Sequence, residues 1–276
     1  MESKIAKAIG LKYNPVAVVL ADQRPENALQ FKSGKWGCVM FMFANAARGK
    51  TAAFDAQTYG CWGGGVGLGF GNAYEQFPGG VDCFTRFLSS GNKQWEKGRQ
   101  VGEGLAGAAG KEFADDFLEG ERYIKNPELV DQWLKEELPI MEIKSRYVLF
   151  MPLSNTDPVA DKPENVVFTV DADQLSALVV LANYGRQRQG MENVIIPQAA
   201  GCQQIGIIPW NEAKSENPRA VVGLTDLSAR KNVRKLLGSE YLSFAMPWKM
   251  FLEMESNVEG SFLERLTWQS LQKSKP

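Results

Sequence analysis

The chain contains no histidine in 276 residues. That absence removes Ser-His-Asp and Cys-His nucleophilic catalysis, zinc or haem held by imidazole, and an imidazole general base. Any bound metal must be held by thiolates, carboxylates or carbonyls, and soft thiolates favour zinc or iron–sulfur centres. Charge of one sign is not in excess either: 31 Lys and Arg stand against 32 Asp and Glu. A duplex nucleic-acid binder needs a basic stripe to neutralise phosphates, so no nucleic-acid partner is expected. The basic clusters at residues 93–99 and 230–235 are short and read as solvated helix faces.

Long apolar runs are also missing. No segment reaches the roughly 18 continuous apolar residues of a membrane span, so no membrane partner is expected. The N-terminus, MESKIAKAIGLKYNP, reads as an amphipathic helix and lacks the apolar core of a signal peptide, which points to the cytoplasm. Cysteine is scarce, four in all, and in that compartment a few cysteines more often mean metal or redox chemistry than disulfides. There is no C-x-x-C pair.

What is present is a concentration of glycine. Residues 59–71 read YGCWGGGVGLGFG, in which Cys61 is followed by six glycines within ten residues. Gly60 and the run Gly63, Gly64, Gly65 remove Cβ atoms that would hold a ligand away from the backbone, and leave amides to point at whatever Cys61 holds. A thiolate among amide donors suits an anionic, sulfur-ligated centre.

Along the chain, residues 2–9 predict a short helix and residues 15–20 (PVAVVL) a buried strand. Residues 35–48 (KWGCVMFMFANAAR) have helical length with Gly49 beyond the end, which puts Cys38 in the first turn. Residues 51–55 predict a second strand, running directly into the glycine-rich stretch. After a turn at FPGG, residues 81–90 (VDCFTRFLSS) predict a helix carrying Cys83 near its start. Residues 92–120 predict a helical excursion, and residues 127–138 a helix with Asn126 as N-cap and Pro127 in first position. Residues 146–153 (RYVLFMPL) predict a strand, and the loop SNTDPVADKPEN marks a candidate boundary between halves.

The second half repeats the order. Residues 165–170 predict a strand, 173–184 a helix closed by Gly185, and 193–197 a strand followed by AAGCQQIGIIPW. Residues 11–91 and 146–215 therefore define two candidate pseudo-repeated halves, in which Cys61 and Cys202 fall at corresponding Gly-Cys corners. A pseudo-twofold axis would bring those corners to one place. Further strands are expected at 220–224 and 241–246, and helices at 227–237, 247–253 and 262–272. Strands alternating with helices predict an α/β fold, with α+β as the alternative: one domain over residues 1–276, built on a layered mixed sheet with flanking helices.

Cys38, Cys61, Cys83 and Cys202 match in number the ligands of a [4Fe-4S] cluster or a four-thiolate zinc site. Each lies beside small residues or at a predicted helix start, where amides and the positive end of the helix dipole favour a thiolate. Neighbours 22 or 23 residues apart can meet only if the fold assembles them. The competing reading of each is a small buried hydrophobe. Gly60, Gly63, Gly64 and Gly201 complete the candidate cofactor site, and Trp36, Tyr59, Trp62 and Phe70 flank it as a wall or as core.

Other patterns carry less. Residues 44–51 (ANAARGKT) fit a loose phosphate-loop pattern, but they read as a helix end and lack the glycines that expose amides, so Lys50 and Thr51 are not expected to bind nucleotide. The glycine stretch never satisfies G-x-G-x-x-G. The acid pairs Asp115–Asp116 and Glu136–Glu137 read as surface.

The PVAVVL strand, the cysteine opening a helix that ends Ala-Ala-Arg-Gly-Lys, the GCWGGGVGLGF corner and the late AAGC together resemble the prokaryotic domain of unknown function 169 family, over roughly residues 10–250. The resemblance implies fold and site location more than chemistry. It supports Cys38, Cys61 and Cys202 as family-type cysteines, and Cys83 lies outside its pattern.

These readings converge on an iron–sulfur protein with one [4Fe-4S] cluster held by Cys38, Cys61, Cys83 and Cys202. The expected work is electron transfer to a redox partner protein, or redox chemistry on a small molecule beside the cluster. Without histidine, proton transfer would fall to a carboxylate, Lys50, Tyr59 or water. Two alternatives remain open at this stage: a cofactor-free small-molecule binder whose glycine corners line a pocket, and a structural four-cysteine zinc protein. Homo-oligomerisation is open as well.

Overall fold

A computed structural model describes residues 1–187 and 193–273; residues 188–192, which fall inside the second candidate half, lie outside the described residues. In chain order the first elements are α1 (Lys4–Ala8), β1 (Val16–Ala21), α2 (Val39–Ala47), β2 (Ala52–Phe54) and α3 (Trp62–Gly67). Four helices follow: α4 (Gly80–Phe87), α5 (Glu96–Ala109), α6 (Lys111–Glu119) and α7 (Pro127–Gln132). Then come β3 (Tyr147–Pro152), β4 (Asn165–Val170), α8 (Ala172–Tyr184), β5 (Val194–Ile195), α9 (Gly201–Ile205) and α10 (Ile207–Glu212). The chain closes with β6 (Ala220–Gly223), α11 (Leu227–Leu237), β7 (Leu242–Pro247), α12 (Trp248–Ser256) and α13 (Leu266–Lys273).

The chain divides into two compact units, Met1–Phe70 with Glu142–Pro276, and Gly71–Met141. The first holds a seven-stranded mixed sheet in the order β2-β3-β1-β4-β7-β6-β5, flanked by helices, so the fold is α/β. Neighbouring strands are antiparallel except for the parallel pair β5–β6. The strand β1 is the unbroken apolar run VAVVLA because helices cover both faces of the sheet and neither side of the strand meets water.

Side chains on one face, among them Ala17, Val19, Leu149, Val166, Phe168 and Phe244, join a core with α1, α8, α12 and α13. Phe168 meets Phe251 of α12 edge-on there, ring centroids 6.2 Å apart. The alternate residues face the other way, where Phe150 packs between Phe54 of β2 and Phe43 of α2. On that second face lie α2, α9 and α10, and α3 and α11 pack on α9 and α2.

The strand order is symmetric about the central pair: β2-β3-β1 on one side matches β6-β7-β4 on the other, with the same relative directions. By that match, Cys61, which follows β2, corresponds to Asp226, which follows β6, and not to Cys202 as the order of elements along the chain led one to expect. Cys38, between β1 and β2, corresponds to Cys202, between β4 and β6.

The second unit is helical, as residues 92–120 led one to expect. Its core is a cluster of rings in which Phe77 meets Phe84, Phe87, Phe113 and Phe117, and Tyr74 stacks on Phe84. Asn126 caps α7 by accepting the Leu129 amide, with Pro127 in first position. One expected boundary moves in the first unit. The helix expected over residues 35–48 begins only at Val39, and Cys38 is its extended N-cap rather than a residue of its first turn.

Candidate metal centre

Gly37 explains that late start. Its amide donates to the Gly60 carbonyl at 3.2 Å, and a Cβ at Gly37 would fall 2.2 Å from the Phe31 ring. Gly60 has φ of +84°, and a Cβ there would meet the Gly37 carbonyl at 2.4 Å and Phe31 at 2.7 Å. The two Gly-Cys corners, Gly37-Cys38 and Gly60-Cys61, are thus pinned side by side over one aromatic ring. No other residue type tolerates both the approach and the backbone angle at position 60.

Cys61 is the N-cap of α3, and its sulfur accepts the Gly64 amide at 3.3 Å. The helix it caps reads WGGGVG, a poor helical sequence, since each glycine costs about 1 kcal/mol relative to alanine. Close packing accounts for it. A Cβ at Gly64 would reach the Tyr59 carbonyl at 2.4 Å and Val39 at 2.7 Å, and one at Gly67 would reach the backbone of Cys202 and Gln203 at 2.8 Å. Across the same seam a Cβ at Gly206 would lie 2.0 Å from the Gly67 carbonyl. Backbone lies on backbone, which leaves the Cys202 thiol 3.0 Å from the Gly63 carbonyl, to which it donates.

The third corner, Gly201-Cys202, opens α9. A Cβ at Gly201 would lie 2.9 Å from Ala229 of α11 and 3.0 Å from Met40 of α2, so the first turns of α2, α9 and α11 meet at this glycine. Its amide donates to Asp226 Oδ2 at 2.9 Å, while Asp226 Oδ1 caps α11 by accepting from Ser228 and Ala229. The structure therefore places Cys38, Cys61, Cys202 and Asp226 at helix starts on one face of the sheet. The amides of Gly64 and Gly201 are engaged by Cys61 and Asp226; they point at the site's own side chains.

Burial and neighbouring charges hold all three thiols in the protonated form. Burial pushes Cys61 up to about 12, Cys38 and Asp226 add to the rise, and the amides of Gly64 and Gly63 oppose it. Burial also pushes Cys202 well above the ordinary thiol range, followed by the charges of Cys61, Cys38 and Asp226. Cys38 is raised by burial and by Asp226, against the amides of Met40 and Phe41 and the side chain of Asn232. Cys38 and Cys61 thus receive amides from neighbouring residues, Cys202 donates to a carbonyl instead, and the charge of Asp226 raises all three with no cation to oppose it. Among the described residues no group of three or more Cys, Asp or Glu side chains could hold one metal ion.

Cys83 belongs to the second unit. It is fully buried within α4, where a Cβ at Gly79 would come within 2.2 Å of its sulfur, and its carbonyl accepts the Asn92 side chain. After burial, the charges acting on it are those of Lys97, Arg86 and Asp82.

The flanking aromatics divide. Tyr59 stacks on Phe70, centroids 6.0 Å apart, and its phenol is raised by burial and by Cys61, whereas Trp36 is 63% exposed. Lys50 follows the C-terminal end of α2, about 14 Å of helix from Cys38, with Gly49 at φ of +101° between. The ANAARGKT pattern is therefore a helix end. A groove of about 390 Å³ runs along α11 past Leu227, Arg230, Arg234 and Tyr241; none of Gly60, Gly63, Gly64 or Gly201 lines it.

Sequence reasoning missed Asp226, Gly37, Gly67 and Gly206. Asp226 could be read as an N-cap from its place after AVVGL and before an apolar helix face. That it accepts the amide beside Cys202 follows only from strand order. A family model described as "Uncharacterised ArCR", domain of unknown function 169, matches residues 4–257. No curated protein and no solved structure gave a significant match.

Proposed function

The chain belongs to the uncharacterised ArCR family, domain of unknown function 169, and on that footing we propose that it is an iron–sulfur protein in which Cys38, Cys61 and Cys202 bind one [4Fe-4S] cluster. One observation supports the reading: three Gly-Cys corners, far apart in sequence, share one face of the sheet, with amides of neighbouring residues aimed at the sulfurs of Cys38 and Cys61. Amide-to-sulfur hydrogen bonds stabilise an anionic cluster and tune its potential. Buried thiols with no cation beside them hold their protons, and iron supplies the charge that would turn them into thiolates, so cluster assembly releases protons. A four-iron cluster puts each ligand on a different iron, so its ligands need not converge on one point.

The work that suits such a centre is electron transfer to a partner protein, or redox chemistry on a small molecule held beside it, in the cytoplasm. Cys38 and Cys61 are half-buried, which would leave one edge of the cluster within reach of either.

The test is anaerobic purification and reconstitution with iron and sulfide, followed by the visible spectrum and iron, sulfide and zinc contents. A brown protein with about four irons and four sulfides, bleaching on reduction, is the expected outcome, and Cys61→Ser should lose it. A colourless, metal-free protein, or one carrying stoichiometric zinc without sulfide, overturns the reading.

A further inference from the structure

We propose that Asp226 is the fourth ligand of the centre, an oxygen donor completing the set begun by Cys38, Cys61 and Cys202, so that one iron of the cluster would differ from the other three. This rests on the cluster reading above and adds the identity of the ligand that the three corners leave unfilled.

Position argues for it first. Asp226 caps α11, whose first turn meets those of α2 and α9 at Gly201, and its Oδ2 is fixed 2.9 Å from the amide beside Cys202. The symmetric strand order then puts it in the place that Cys61 occupies in the other half of the strand order. Capacity comes next. A carboxylate offers about four lone-pair sites, and three amides, those of Gly201, Ser228 and Ala229, use three of them, which leaves one for a metal. Those same hydrogen bonds fix the rotamer, as second-shell donors do around a ligating carboxylate. Charge comes last. Among the described residues no Lys or Arg forms an ion pair with Asp226. A carboxylate with no cationic side chain to pair with keeps its charge available to a bound cation.

Oxygen holds iron less firmly than thiolate, so the iron on Asp226 should be the first to leave. With ferricyanide as oxidant, [4Fe-4S]2+ gives up one electron to ferricyanide and releases Fe2+, leaving [3Fe-4S]+. The experiment compares wild type, Asp226→Asn and Asp226→Cys, each reconstituted anaerobically with 57Fe and sulfide, by Mössbauer spectroscopy and by the rate of Fe2+ release. Asn caps a helix as well as Asp does, so it separates ligation from capping. We expect one distinct iron in wild type and four alike in Asp226→Cys. Release should be on the order of tenfold faster in Asp226→Asn and at least as much slower in Asp226→Cys than in wild type.

Four thiolate-type irons in wild type, a wild type that assembles only three irons, or release rates unchanged in both variants would each overturn the assignment while leaving a cluster protein standing. Should Asp226→Asn fail to fold by circular dichroism, the wild-type and Asp226→Cys spectra decide alone. A wild type that takes up no iron and sulfide overturns both this assignment and the reading it rests on.

Discussion

Burial and the neighbouring Cys38 thiol oppose ionisation of Cys61, with its proton held to about 12 against 9.0 for a free thiol. The folded value lies above the unfolded one, so the fold binds this proton more tightly than the unfolded chain does. The resulting stability is complete below about pH 9 and is lost as pH climbs towards 12. The metal-free protein should therefore show a urea midpoint that falls across that window, less steeply in Cys61→Ala; identical slopes would refute the linkage. Cys38 and Cys202 shift in the same direction, so the variant should blunt the fall without abolishing it. Cys83 should behave differently. Cys83→Ala is expected to keep full iron and sulfide content, and a loss of cluster would return Cys83 to the ligand set. The sequence reading placed Cys83 in the ligand set, yet Cys38, Cys61 and Cys202 each follow a glycine and Cys83 follows Asp82. A glycine lets the preceding backbone approach its neighbour, as at Gly37, Gly60 and Gly201, and that approach gathers the corners.

At the scale of elements, α3 shows propensity overruled by packing. Alanine at Gly67 would improve the helix by about 1 kcal/mol, yet its Cβ would meet the backbone of Cys202 and Gln203 at 2.8 Å. Backbone cannot rotate away as a side chain can, so Gly67→Ala should destabilise the metal-free protein by about 1–3 kcal/mol in urea denaturation. On α5, Gly104 and Gly107 have open space where a Cβ would stand and no left-handed φ. Gly104→Ala with Gly107→Ala should raise stability by about 1 kcal/mol per site. If both helices respond alike, seam packing at α3 is not what selects its glycines. The sequence shows the glycines of both helices equally. It does not show which of them face a second backbone, because that depends on α9, which lies more than a hundred residues further along the chain.

For the whole molecule, the alternation of strands and helices made the layered α/β arrangement legible, because apolar runs such as VAVVLA can be buried only between two helical layers. Strand order was not legible, since β3 enters between β1 and β2 from 126 positions beyond β1. Local pattern carries no information about such long-range pairing. The site depends on one face of that sheet, while the opposite face carries its own polar tie. Glu255 of α12 accepts hydrogen bonds from the Ser3 hydroxyl and from the amides of Lys4, at 2.8 Å, and Ile5, at 3.3 Å, at the start of α1. Glu255 is 7% exposed, so removing its carboxylate leaves the buried Ile5 amide and the part-buried donors of Ser3 and Lys4 without their acceptor. Glu255→Ala should therefore cost about 1–3 kcal/mol in urea denaturation. The thiol corners lie across the sheet and share no hydrogen bond with Glu255, so iron and sulfide content and the alkylation rates of Cys38, Cys61 and Cys202 in the metal-free protein should match wild type. Unchanged stability would show that the tie contributes nothing; lost cluster with retained fold would show that the two faces are coupled through the strands between them.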